Sequence, residues 1–155
     1  MKAVLQRVSY AKVTVNGVIT GECNEGLAIL LGVAEGDTEQ DAELLCRKIV
    51  NLRIFTDEND KMNRSIKDID GEMLVISQFT LMANYRHGNR PDFLASAKPE
   101  RANQLYEYFM ELARKEVRRV EAGVFGAHME VSLLNNGPVT IVMESSKLKK
   151  GKNKV

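Results

Sequence analysis

"AKVTVNGVITGECNEGLAILLGV", residues Ala11 to Val33, contains two different kinds of strand in succession. The first part alternates apolar and polar residues around Asn16-Gly17. Alternation marks strands with one wet face, and Asn-Gly is a strong two-residue hairpin signal because the tight turn needs positive φ at both positions. The last part, "LAILLGV" (Leu27 to Val33), has no polar side chain at all, as in a strand buried on both faces. A hairpin that feeds a fully buried strand does not suit an all-parallel sheet, so the rest of the chain must supply covering layers.

Upstream, Val4, Gln6 and Val8 set against Leu5 and Arg7 suggest an opening strand. Downstream, "TEQDAELLCRKIVNL" predicts a helix. Thr38 can cap it, Glu39 and Asp41 sit at its positive end, and Leu45, Ile49 and Leu52 recur at helical spacing. Arg53 to Phe55 reads as a short strand, followed by the polar loop "TDENDKMNRS". After the Asp70-Gly71 turn, "EMLVISQFTL" reads as a central strand and "ANYRHGNRPD" as a loop. Pro99 opens a second helix, expected from Glu100 to about Arg118, with Ala102, Leu105, Tyr106, Phe109, Leu112 and Ala113 on one face. "HMEVSLLNNGPVTIVME" reads as two strands around a turn. Hairpins at both ends and only two main helices predict a single α/β domain of the α+β type. Its sheet should be mixed or antiparallel, or an open β-barrel, with both helices packed outside. The domain is expected over residues 1–145. Residues 146–155 belong to a lysine-rich tail, expected to be disordered; "KLKKGKNKV" has five lysines in nine residues.

At 155 residues one domain can bury about two-thirds of its unfolded surface. Apolar residues make up 44% and charged residues 28%, and the net charge is +1, so any nucleic-acid binding must come from a local patch. Cys23 and Cys46 have neither C-x-x-C spacing nor a nearby His, which fits two reduced thiols better than a disulfide or a zinc site. The opening "MKAVLQRVSY" has no apolar run long enough for a signal peptide, and no segment approaches the roughly 18 apolar residues of a membrane span, so a cytoplasmic protein with no membrane partner is expected. Gly32 and Gly36 lack the Lys-Ser or Lys-Thr of a phosphate loop, and "DENDK" lacks the central Gly and distal Glu of a calcium loop. "GVFG" (Gly123 to Gly126) matches a KH-type GXXG, but that pattern is short and common. Ser77 is not in G-x-S-x-G. Of the two histidines, His87 lies in a charged loop and His128 at a strand start, where structural roles are common.

Two stretches carry chemistry. In "SQFTL" (Ser77 to Leu81) a buried strand passes into Ser77, Gln78 and Thr80, either as a strand emerging into solvent or as a polar cluster on a rigid element whose backbone amides can face a ligand. "NNGPVT" (Asn135 to Thr140) puts Gly137-Pro138 at the mouth of an apolar strand. It is either an ordinary turn or a cis Gly-Pro, since X-Pro is the one bond where cis costs only about 0.5–1 kcal/mol.

"QRV" (Gln6 to Val8), "SQFTL" and "NNGPVT", in this order, resemble the D-aminoacyl-tRNA deacylases, formerly called D-tyrosyl-tRNA deacylases. "LRIFTDENDKMN", "RPDF" and "HMEVSLLNNGPVT" are similar as well, so the resemblance spans roughly residues 1–145. Asn136 departs from it, since many members carry Asp there. The resemblance implies hydrolysis of the ester joining a D-amino acid, or glycine mischarged on a non-cognate tRNA, to the terminal adenosine, with no cofactor and no metal. It also implies a homodimer in which Gly137 and Pro138 reach across as a chiral gate, while Ser77, Gln78, Phe79 and Thr80 form the catalytic floor. A gate of carbonyls would exclude an L side chain and leave a D side chain pointing outward.

For the hydrolysis, Thr80 as nucleophile would need an adjacent base, and "SQFTL" contains none. Alternatively the adenosine 2′-hydroxyl assists attack and the Phe79 backbone N–H holds the oxyanion; the missing base favours this scheme. Phe125 and Met129 are candidates for packing on adenine or for the core, and Arg7 for bracing the Gly-Pro carbonyls or for a plain surface position. Arg86, Arg90, Arg114, Lys115, Arg118 and Arg119 are basic residues available to tRNA, with none assigned. Two other readings are open: a non-catalytic RNA-binding module, and an esterase or amidase of free D-amino acid derivatives.

Overall fold

The computed structural model describes residues 1–150. The predicted hairpin is present: β1 (Lys2–Val15) turns at Asn16 and Gly17, with φ of 49° and 78°, into β2 (Val18–Cys23). β3 (Gly26–Gly32) follows directly. β1 is the organising strand. Its first half, Lys2 to Val8, pairs antiparallel with β3, and Ala11 to Val15 pairs with β2. β3 pairs in parallel with β6 (Glu72–Ser77), and β6 in parallel with β7 (Arg119–Ala122). β2 and β7 lie against each other, so the six-stranded sheet nearly closes into a barrel. β4 (Phe55–Thr56) and β5 (Met62–Arg64) form a separate two-stranded ribbon.

Near-closure explains the unbroken apolar run in β3. Leu27, Ile29 and Leu31, with Met73 and Val75 of β6, face α1 (Glu39–Asn51) and α2 (Pro99–Arg114). Ala28, Leu74 and Ile76 instead join Val8, Ala11 and Val13 in a second cluster on the other side of the sheet. Successive residues point to opposite faces, and here both faces are dry. The helices contribute Leu45, Ile49, Leu105 and Phe109, all essentially fully buried. Burial of each such side chain contributes roughly 1.5–3 kcal/mol. The Thr38 amide donates to the Asp41 carboxylate at 2.9 Å, closing the expected cap of α1.

Several elements differ from expectation: β5 lies within the stretch expected as a polar loop, and β7 was not expected. α2 ends at Arg114 instead of about Arg118. Val120, a few residues on, pairs with Met73 of β6, and the strand ladder prevails over the local helical pattern. The C-terminal pair of strands is not a hairpin. It is a single strand, β8 (Glu130–Glu144), lying along β1 for almost its whole length. Glu130 to Asn135 pair with Val8 to Thr14, and Thr140 to Glu144 pair with Lys2 to Gln6. Between them Asn136 to Val139 bulge out of the ladder opposite Arg7. Pro138 sits in this excursion, where no ladder donor is required, so its missing N–H costs nothing. The Gly137-Pro138 peptide is cis.

Past β8, the described part of the lysine-rich tail is anchored. Ser145–Lys147 forms a short 3-10 turn, Leu148 packs against the core, and Lys149 Nζ lies 3.0 Å from Asp41. Residues 151–155 of the tail expected to be disordered lie outside the described residues. Burial alone would raise the Asp41 carboxyl, but hydrogen bonds from Thr38, Ser145 and Lys149, with the nearby N-terminal charge, hold it down at about 2. Cys23 and Cys46 are buried free thiols, and burial pushes both up to about 11, so they stay protonated and unreactive. Among the described residues no helix is long and apolar enough to cross a membrane.

Candidate active site

β6 ends at Ser77, and the chain then leaves the sheet. The strand expected to run on to Leu81 is replaced by a 3-10 turn, Phe79–Met82. The Gln78 amide donates to the Leu31 carbonyl at 2.9 Å, which ties the turn to the end of β3. It packs so closely on β3 that a Cβ at Gly32 would stand 2.8 Å from Met82 Cε and 3.0 Å from the Gln78 carbonyl oxygen. A side chain there would have to push back the Met82 end and crowd the Gln78 carbonyl, so glycine suits this approach. As the first residue of the turn, Phe79 has an N–H without an intrahelical acceptor. The Gln78 side-chain amide donates to the Thr80 hydroxyl, so the motif orients its own threonine.

Ser77, Gln78 and Phe79 line one side of a cleft of about 730 Å³. Phe125 and Met129, from the loop between β7 and β8, line the other. The walls are mostly aromatic and aliphatic. Phe79, 56% exposed, stacks edge-on against Phe93 with ring centroids 5.1 Å apart. Phe125 packs beside Tyr106, whose hydroxyl donates to the Val75 carbonyl at 2.8 Å; burial pushes that hydroxyl up to about 12, so it remains a donor. Thr80 is exposed and does not line the cleft, reaching it through Gln78.

Phe93, Leu94, Lys98 and His128 also line the cleft and were given no site role from the sequence. Phe93 belongs to "RPDF", so its stretch was singled out but its role was not. His128 is the imidazole of the cleft, and among the described residues it makes no hydrogen bond to Ser77 or Thr80. Its recognition needed the loop's path in space, because one histidine near a strand start carries no signal by itself.

Gly137, Pro138 and Arg7 stand elsewhere. Gly137 and Pro138 are exposed and do not line this chain's cleft. The excursion that carries them is held by side chains. Asn135 Oδ1 accepts from the Val139 amide at 2.9 Å, and Asn135 Nδ2 donates to Thr140 Oγ1 at 2.9 Å. Arg7 Nε donates to the Asn136 carbonyl at 2.8 Å, and Nη1 donates to the Ile54 carbonyl at 2.8 Å. Arg7 thus braces the carbonyl just before the Gly-Pro pair and ties the turn to the segment leading into β4. Gly137 has φ of 142°, and a Cβ there would meet Val139 Cγ2 at 2.8 Å and Arg7 Nη2 at 3.1 Å.

With this geometry established, similarity to other proteins becomes informative. The family model described as D-Tyr-tRNA(Tyr) deacylase matches residues 4–144. A D-aminoacyl-tRNA deacylase of Caldicellulosiruptor saccharolyticus is 55% identical over 148 residues, covering 96% of this chain and 99% of its own. The Thermosipho melanesiensis protein of the same name is 54% identical over 149 residues, covering 96% of this chain and 99% of its own. Among solved structures, one described as c-Myc DNA Unwinding Element Binding Protein superposes with a TM-score of 0.88 at 44% identity, covering 93% of this chain and 98% of that one. Another, of a probable eukaryotic D-amino acid tRNA deacylase, has a TM-score of 0.77 at 16% identity, covering 92% of this chain and 98% of that one, and shows the shared fold alone. The match runs from β1 through β8, and both motif stretches lie inside it: this chain belongs to the D-Tyr-tRNA(Tyr) deacylase family.

Proposed function

We infer that the protein is a cytoplasmic ester hydrolase that removes D-amino acids, and glycine from a non-cognate tRNA, from the 3′ end of tRNA, and rejects L-aminoacyl esters. The observation that carries this reading is a division of labour. The Ser77–Thr80 cluster borders an apolar cleft that its own chain leaves ungated, while the Gly137-Pro138 turn projects from a different part of the surface. Each feature lacks what the other has. A homodimer in which the turn of one protomer enters the cleft of its partner completes both. Val131, Leu134 and Val142, exposed apolar residues along β8, supply contact area for such an assembly.

In the assembled site the terminal adenosine stacks among Phe79, Phe125 and Met129. The partner's Gly-Pro turn stands where an L side chain would project. A D side chain points away, so the enzyme selects chirality more than side-chain identity. Thr80 accepts a hydrogen bond from Gln78 and has no base beside it, so it positions the substrate instead of attacking. The 2′-hydroxyl assists water, and the Phe79 N–H stabilises the oxyanion. One such donor typically contributes about 2.7–4 kcal/mol.

Incubation with matched D- and L-aminoacyl-tRNA tests the reading. Release of the D-amino acid alone supports it. Binding without hydrolysis would favour a non-catalytic RNA-binding module, and equal hydrolysis of a free D-amino acid ester would remove the dependence on tRNA. Sedimentation showing a fully active monomer would overturn the gate in trans.

A further inference from the structure

Arg47 and Lys48 near the end of α1, Arg53 just beyond it, and Lys147 of the C-terminal 3-10 turn surround a groove of about 700 Å³, with Leu52 and Leu148 in its walls. All four cations are exposed. Several cations elsewhere are paired: Arg118 with Asp70 at 3.1 Å, Arg119 with Glu121 at 3.1 Å, Arg101 with Glu39 at 3.0 Å, and Lys67 with Glu116 at 3.3 Å. Among the described residues none of the four groove cations has a carboxylate partner. Arg53 only donates its Nε to the Asn63 carbonyl at 3.0 Å. In a protein of net charge +1, this is a local concentration of unspent charge on a concave surface.

We propose that this groove binds the phosphate backbone of the tRNA acceptor stem. The argument rests on the deacylase reading above. A row of cations along an open groove suits a chain of phosphates better than one small anion, because each exposed contact is weak and only their sum holds. Its position supports the assignment. Arg53 precedes Ile54, whose carbonyl accepts from Arg7, and Arg7 also donates to the Asn136 carbonyl, so one arginine links the segment that bears Arg53 to the Gly-Pro turn. When that turn enters the partner's cleft, the stem leaving the cleft passes onto the subunit that supplied the turn, and the groove takes its phosphates.

The test compares wild type with Arg47→Gln/Lys48→Gln/Arg53→Gln/Lys147→Gln, reading tRNA Kd against salt together with kinetics on two substrates. Each lost phosphate contact lowers the slope of log K against log salt by about 0.7–0.9. The expected result is a slope lower by roughly 2–4, an increase in KM for D-aminoacyl-tRNA of about tenfold or more with kcat retained, and unchanged hydrolysis of a D-aminoacyl-adenosine. An Arg114→Gln/Lys115→Gln control should change the slope less per charge removed. An unchanged slope, an equal loss on the adenosine ester, or an equal effect per charge in the control would each overturn the groove. Uncharged tRNA binding decides the matter even if wild type proves not to hydrolyse D-esters, so the two readings fail separately.

Discussion

The stretch proposed as catalytic and the stretch proposed as the gate are both short polar sequences at the mouth of apolar strands, yet the fold holds them by opposite means. Ser77 to Met82 is held from beneath: a buried strand, a backbone bond to Leu31 and close packing over Gly32 fix it. In Asn136 to Val139 the first three residues are exposed and Val139 alone packs against the core. Asn135 and Arg7 hold it through four hydrogen bonds of 2.8–2.9 Å, three of them on the excursion or its flanks and one to Ile54. Core packing places atoms to within tenths of an ångström and tolerates little substitution. A side-chain network on the surface allows a turn to project and still keep its shape. The catalytic end should therefore be robust to side-chain loss because its donor is backbone, and the gate should be fragile.

The largest effect expected is on the substrate. A tRNA ending in 2′-deoxyadenosine and esterified at its 3′-hydroxyl should bind but hydrolyse about 10²–10⁴-fold more slowly, as for loss of a positioned acid–base group; single-turnover rates check this, and a fully reactive deoxy ester would end the assisted mechanism. Next comes Gly137→Ala. The added methyl collides with Val139 and Arg7 at a positive φ, and a displaced gate should lower D-ester turnover by about 10²-fold with the melting temperature nearly kept. Wild-type activity and selectivity in the purified variant would place the gate elsewhere. Arg7→Ala removes the brace without touching the turn's own sequence. Charged hydrogen bonds of this kind contribute about 1.5–3 kcal/mol, so a loss of at least tenfold in activity is expected, with only partial recovery in Arg7→Lys because a single ammonium cannot reproduce the fork to both carbonyls.

Asp41 tests whether the end of β8 is anchored as described. Its folded pKa of about 2 lies below the usual carboxylate value, so its stabilisation is fully present above about pH 4 and is lost as pH falls toward 2. Asp41→Asn should be less stable than wild type by about 2 kcal/mol near neutrality, and the two denaturation curves should converge in acid. A constant gap across that range would mean the carboxylate's charge is not what matters. The smallest effects are expected for Thr80→Ala and His128→Asn, each within a few-fold of wild type. A dead but folded Thr80→Ala would restore the nucleophile, and a dead His128→Asn would make the imidazole of the cleft the missing base.

Much of this was legible in residues. Asn16-Gly17 specified a turn, the unbroken run of β3 reported two dry faces, and Thr38 with Asp41 marked a helix start, because each depends on neighbours within a few positions. The site was legible only as two separate motifs. Nothing in the spacing of "SQFTL" and "RPDF" says that Phe79 meets Phe93, and for Arg7 the residues left open a brace on the Gly-Pro carbonyls or a plain surface position, which only the fold decided.

The sequence by itself determined the opening hairpin, the buried strands, the existence of two main helices, the two motif stretches and the family, since periodicity, turn chemistry and motif identity are local properties. Tertiary structure decided that the last strand is one strand and not a hairpin, that the Gly-Pro turn bulges opposite Arg7, and that α2 stops at Arg114. It also decided which cations are spent on carboxylates and which are left in a groove. The reason is the same in each case: a ladder partner or an ion partner far away in the chain outweighs a local preference of a few tenths of a kcal/mol per residue, and that partner is known only when the chain has folded.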